Sequence, residues 1–124
     1  MSWDAYLTDD RGHTEGDWNY THNCNGMIAE ALTDLGCVNA KATPDDHPIW
    51  KAIGPPWWKR LDGCDGPTGA AFLDALIRQL ESNPVRYSAM NPANGWGSYE
   101  TLVKVLTGMR DAVPEWPTTW RVHG

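Results

Sequence analysis

Phenylalanine is nearly missing from this 124-residue chain, which holds one Phe against eight Trp. Aromatic packing therefore falls to indoles, each a large apolar body with an N–H that wants an acceptor when buried, suited to cores that reach the surface and to flat ligand platforms. Long hydrophobic runs are missing too. No window approaches the roughly 18 consecutive apolar residues of a membrane span, and no basic run followed by an apolar stretch opens the chain, so the sequence reads as a soluble, cytosolic protein. Basic charge is scarce: Lys and Arg total 10 against 16 for Asp and Glu, a formal charge of −6. That balance works against a broad face for DNA or RNA, although a local pocket for one small anion needs only a few well-placed donors. Cys24, Cys37 and Cys64 cannot all pair within one chain and form no C-x-x-C motif, which fits free thiols in a reducing compartment.

The length suits a single domain, 1–124, with one core. Residues 2–8 alternate, with Trp3, Ala5 and Leu7 on one side, and predict a half-buried strand. Asp9-Asp10-Arg11-Gly12 has turn chemistry and leads into a weaker return strand over 13–18, interrupted by Gly16. Met27, Ile28, Ala31, Leu32 and Leu35 recur at helical spacing, which places a helix at 24–35 with Asn23 or Asn25 as N-cap and Gly36 past its end. Residues 37–56 lose periodicity around Pro44, Pro48, Pro55 and Pro56 and read as a long loop. A short helical turn over 57–61 precedes a helix over 67–82 that carries Phe72, Leu73, Leu76, Ile77 and Leu80 on one face and stops at Asn83-Pro84. Pro84–Met90 adds a turn, and residues 91–97 are a dense loop signal. Ser98 caps a third helix ending near Val113-Pro114, and Thr118–His123 alternates as a strand able to pair beside the first. The economical assembly is α+β, about three helices on a small, mostly antiparallel sheet made from the two chain ends; a helical bundle with draped termini is the alternative.

Familiar chemistry finds little support. His22 and Cys24, with Cys37, His47 and Cys64, match no common zinc spacing, so no metal is expected. Cys24 near a helix start, with His22 or His47 as base, would make a nucleophile and an enzyme of the Cys/His kind. The pairs Asp9/Asp10, Asp45/Asp46 and Asp62/Asp65 sit in turn-like settings that explain them without acid/base work. Gly95-Trp96-Gly97-Ser98 is a fragment of a phosphate loop, without the third glycine or the lysine.

The preferred site combines two polar helix entrances. Trp18, Asn19, Tyr20, Thr21, His22, Asn23 and Asn25 crowd ahead of the first helix, and Asn94, Trp96, Ser98 and Tyr99 ahead of the last. If they converge, backbone amides would hold an anion, Asn edges would pair with donors and acceptors, and an aromatic face would stack on a ring. Arg60, beside Trp57, Trp58 and Lys59, would close the pocket with a bidentate contact. The expected function is non-enzymatic binding of a small anionic or nucleotide-like ligand, with no cofactor. A docking module that uses exposed Trp residues within 44–60 and 114–120 is the second reading, and the Cys/His enzyme the third.

The run Trp18-Asn19-Tyr20-Thr21-His22-Asn23 with Met27, the Trp58–Gly69 segment, and Met90–Gly97 through Tyr99 resemble a group of short, uncharacterised proteins of actinobacteria and their phages. The resemblance implies provenance only, in actinobacteria or their phages, where many accessory proteins of this size sequester a host molecule or dock on a host protein. It carries over no catalytic or binding residue.

Overall fold

The computed structural model describes residues 2–35 and 57–123. Three antiparallel strands, β1 (Ser2–Thr8), β2 (Thr14–Thr21) and β3 (Thr119–His123), form a sheet of order β2-β1-β3, so the two chain ends meet at its centre and one edge. The helices are α1 (Asn25–Asp34), α2 (Trp58–Leu61), α3 (Gly66–Ser82), α4 (Pro84–Ser88) and α5 (Tyr99–Asp111). The architecture is the expected α+β, with three long helices on an antiparallel sheet.

Alternation decides which face of the sheet is covered. Trp3, Ala5 and Leu7 of β1 are wholly buried and lie beside Trp120 and Val122 of β3, in a register that pairs Ala5 with Val122 and Leu7 with Trp120. Their face meets the apolar stripes of α1, α3 and α5, where Met27, Ile28, Leu32, Phe72, Leu76, Leu102 and Leu106 are buried. Each large aliphatic side chain removed from water contributes on the order of 1.5–3 kcal/mol, so this shared layer dominates the stability.

Local chemistry sets the ends. Asp65 caps α3 by accepting from the Thr68 amide at 3.2 Å, and Pro67 occupies the first turn, where a missing N–H costs nothing. Asn83 caps α4, accepting from the Arg86 amide at 3.2 Å. Ser98 and Thr101 form a reciprocal capping box at the start of α5.

Two local expectations are corrected. The return strand reaches Thr21 rather than ending at Trp18, because Gly16, at φ +75°, makes a bulge between the pairs Ala5–Trp18 and Leu7–Glu15 that keeps the ladder in step. The following helix starts with a 3₁₀ turn over His22–Cys24, capped by the Thr21 hydroxyl on the Asn23 amide at 3.2 Å. Neither Asn23 nor Asn25 caps α1; Cys24 stands at that position with no side-chain cap bond. The expected loop 37–56 and the cap at Gly36 lie outside the described residues.

A polar clamp joins α1 to α4. Arg86 contacts Glu30 at 2.6 Å and Asp34 at 3.0 and 3.1 Å, while the buried Tyr87 donates its hydroxyl hydrogen to Asp34 and accepts from the Gln79 amide at 3.0 Å. The Tyr87 hydrogen bond and then Arg86 hold the Asp34 carboxyl below its ordinary 3.8. A carboxyl lowered by folding stabilises above its unfolded pKa and loses that contribution as pH falls through its folded pKa. Asp34→Asn is therefore expected to cost about 1 kcal/mol near neutral pH, the worth of a hydrogen bond. Urea midpoints should then converge with those of the parent below pH 3.8; a gap unchanged at acid pH would contradict the clamp's charge dependence.

Candidate functional site

The end of β2 and the loop before α5 meet over a hydroxyl. Tyr20 Oη accepts the Ser98 N–H at 3.0 Å and lies 3.1 Å from the Ser98 carbonyl and 2.5 Å from Thr101 Oγ1. Residues 78 apart in sequence are thereby tied together at one point. Burial raises the Tyr20 pKa above its ordinary 10.0, so the phenol stays protonated at neutral pH and can both donate and accept. The loop itself is folded by Asn94, whose Oδ1 accepts the Trp96 N–H at 3.0 Å, and by Gly95 and Gly97 at φ +76° and +94°.

Beside this tie lies an open hollow of about 710 Å³. Ser2, Asn19, Tyr20, Thr21 and Asn23 form one wall, and Asn94, Trp96, Gly97 and Thr101 the other. Its volume falls within the roughly 300–1,000 Å³ of small-molecule sites. Among the described residues that line it there is no Asp, Glu, Lys, Arg or His, and Tyr20 is the titratable side chain.

The polar groups of the lining residues divide into those already engaged and those without a partner among the described residues. Asn19 Nδ2 donates to Ser2 Oγ at 3.0 Å and to Asp4 Oδ1 at 2.7 Å, which fixes its amide and leaves Oδ1 as an acceptor. Among the described residues the Asn23 side-chain amide has no hydrogen-bond partner, nor do Asn94 Nδ2 and the Trp96 indole N–H. Trp96 is 70% exposed, so much of its indole surface is accessible.

Of the residues picked from the sequence, Asn19, Tyr20, Thr21, Asn23, Asn94 and Trp96 line this hollow. Ser98 stands behind it as a cap. The others are elsewhere. Trp18 lies on the core side, its ring 5.8 Å from that of Trp120 and covering Gly16. Asn25 accepts the Trp57 indole N–H at 3.1 Å, which seats Trp57 edge-on against Trp3. His22 is half-buried in the 3₁₀ turn. Arg60 is buried on α2 and does not line the hollow, so it does not close the pocket as expected.

The amides assigned to an anion are also largely spoken for. Asn91 accepts the Tyr99 N–H at 2.7 Å, Ser98 accepts that of Thr101 at 3.2 Å, and Tyr20 accepts that of Ser98. Ser2, Gly97 and Thr101 are the lining residues that sequence reasoning missed. Thr101 was findable three places after the Ser98 cap, where a capping box puts its second member, but a Thr in place of Glu or Gln hides the pattern.

The remaining candidates have structural duties. Asp62 accepts the Val122 N–H at 3.0 Å, Asp65 caps α3, and Asp9 accepts the amides of Arg11 and His13 at 2.9 Å. Among the described residues no three His, Cys, Asp or Glu side chains stand close enough to hold a metal ion; Cys37 and His47 lie outside them. Trp57 and Trp120, expected as exposed docking anchors, are buried, whereas Trp116 is 53% exposed.

Cys24 is fully buried, and burial pushes its thiol above the ordinary 9.0. That is the opposite of nucleophile activation. Iodoacetamide at neutral pH should therefore alkylate Cys24 far more slowly in the native protein than in urea, read by peptide mass spectrometry. Equal or faster native labelling would restore the thiol as a candidate.

No family model matches the chain, and no solved structure matches it. A Woronin sorting complex protein of Neurospora crassa is 31% identical to it over 91 residues, which cover 73% of this chain and 28% of that protein. The chain thus corresponds to little more than a quarter of that relative's length. Among the described residues no helix is long and apolar enough to cross a membrane.

Proposed function

We propose that this chain is a non-enzymatic binding protein that holds a small polar ligand with a flat face in the hollow between the end of β2 and the loop before α5. The observation that carries this reading is the convergence of two polar segments, Asn19–Asn23 and Asn94–Gly97, on one cavity of ligand size. Unengaged amide groups beside an exposed indole support recognition through hydrogen bonds and stacking. Binding rather than turnover is favoured because the described residues of the lining offer one titratable group, Tyr20, which stays neutral at physiological pH.

The nucleotide-like ligand expected from the sequence would be held here through its base and sugar, since among the described residues no cation lines the cavity to meet a phosphate. Thermal unfolding with a panel of nucleosides, nucleotides, cyclic dinucleotides and neutral polar metabolites tests the proposal. A ligand present at 100–1,000 times its Kd adds about 2.7–4.1 kcal/mol of stability. The gain should vanish in Trp96→Ala; a panel without any shift, or a shift retained in that variant, would remove the reading.

A further inference from the structure

We infer that the hollow is a saccharide site, an inference that rests on the small-ligand reading above and names its ligand class. Charge narrows the choice first. A phosphate or carboxylate calls for donors alone, preferably cationic ones, and an ammonium group for acceptors or carboxylates. Neither set is present among the described residues: the side chains lining the walls are uncharged, the Ser98, Tyr99 and Thr101 amides at the start of α5 are taken by Tyr20, Asn91 and Ser98, and the chain as a whole is at −6.

The walls offer donors and acceptors mixed at close quarters. Asn23 presents both an amide N–H₂ and a carbonyl, Asn94 presents its N–H₂, Asn19 its carbonyl oxygen, and Trp96 its indole N–H. Hydroxyl groups are the ligand chemistry that uses such a set fully, because each donates one hydrogen bond and accepts others. Trp96 supplies what a polyhydroxylated ring further needs. The C–H bonds on one face of a pyranose carry slight positive charge and complement the negative face of an indole.

Two of the three amides, those of Asn19 and Asn94, are also held in place. Asn19 is fixed by Ser2 and Asp4, and the loop bearing Asn94 and Trp96 is fixed by its own turn and by the Tyr20–Ser98 tie. Preorganised groups of this kind lose little entropy when a weakly bound, strongly hydrated ligand arrives.

Two-dimensional ¹H–¹⁵N NMR of the intact chain tests the assignment, with the Trp96 indole and Asn23 amide resonances as reporters. The probes are glucose, N-acetylglucosamine, maltotriose and cellotriose, against adenosine, uridine, AMP and inorganic phosphate. At least one sugar should shift both reporters saturably at millimolar concentration or below. Trp96→Ala and Asn23→Leu should each weaken that binding about tenfold or more, as truncation of an interface anchor does, with the unfolding midpoint kept as a check on folding.

Saturation by nucleosides or AMP and not by sugars would overturn the saccharide assignment while leaving small-ligand binding intact. Saturation by phosphate alone would overturn it in favour of an anion. No saturable shift with any probe would remove the saccharide assignment, and the absence of any hit in the broader thermal panel would then remove the binding reading as well.

Discussion

Trp120→Ala is expected to lower the free energy of unfolding by about 3–5 kcal/mol, the range for deleting a buried aromatic side chain. Trp120 is fully buried, sits opposite Leu7 in the sheet, and donates its indole N–H to the Gly66 carbonyl at 3.2 Å. The fit around it is close: a methyl group added at Gly69 would lie 2.2 Å from the ring, so α3 approaches β3 as nearly as backbone allows. The indole is thus the spacer between sheet and helix, and its removal leaves a cavity that neither rigid element can collapse into. Against a typical total of 5–15 kcal/mol, such a loss shifts the urea midpoint steeply. Far-UV circular dichroism should record it. Trp116→Ala, at an exposed position, should stay within about 0.5 kcal/mol of the parent. Similar effects at the two sites would mean that the core is not organised around Trp120.

The second large effect is expected at Gly97. Its φ of +94° is a conformation that side-chain-bearing residues rarely adopt, and a β-carbon there would meet Thr21 Cγ2 at 2.7 Å, Cys24 Sγ at 3.0 Å and Tyr20 Oη at 3.2 Å. Backbone strain costs about 1–3 kcal/mol. Overpacking adds about 1–3 kcal/mol unless the loop withdraws. Withdrawal would separate Ser98 from Tyr20 and pull Trp96 from the opposite wall, so Gly97→Ala should reduce stability and, under the proposed function, the affinity for its ligand. Gly95→Ala makes the instructive comparison, since its β-carbon would meet nothing within 4 Å and only the strain of a φ of +76° remains. Equal losses at the two glycines would show that the close approach of loop and strand is not what matters.

How far the fold was legible follows from how local each signal is. Trp3, Ala5 and Leu7 alternate, Asp65 and Pro67 start α3, and Ser98 starts α5; in each case the cause lies within a few residues, so the boundaries could be read from the chain. The extension of β2 to Thr21 was not legible, because polar Asn19 and Thr21 resemble loop residues until Asp4 and Ser2 stand across from them. The same applies to the site. Asn19, Tyr20, Thr21, Asn23, Asn94 and Trp96 stood out as an unusual collection of amides and aromatics, and the cavity does contain them. Trp18, Asn25 and Arg60 had the same chemistry and went to the core, to a buried indole and to the interior, since side-chain type does not reveal what lies opposite.

The sequence alone determined the class of architecture, the starts of the two long helices α3 and α5, and the chemical character of the polar segments, because periodicity, capping and turn chemistry act over one or two turns of chain. Only the tertiary structure decided that Trp57 and Trp120 are buried and Trp96 is not, and that β2 and the loop before α5 enclose a common hollow. Those outcomes depend on contacts such as Tyr20 with Ser98, where the partner is many residues away and is chosen by how apolar faces pack rather than by any nearby residue.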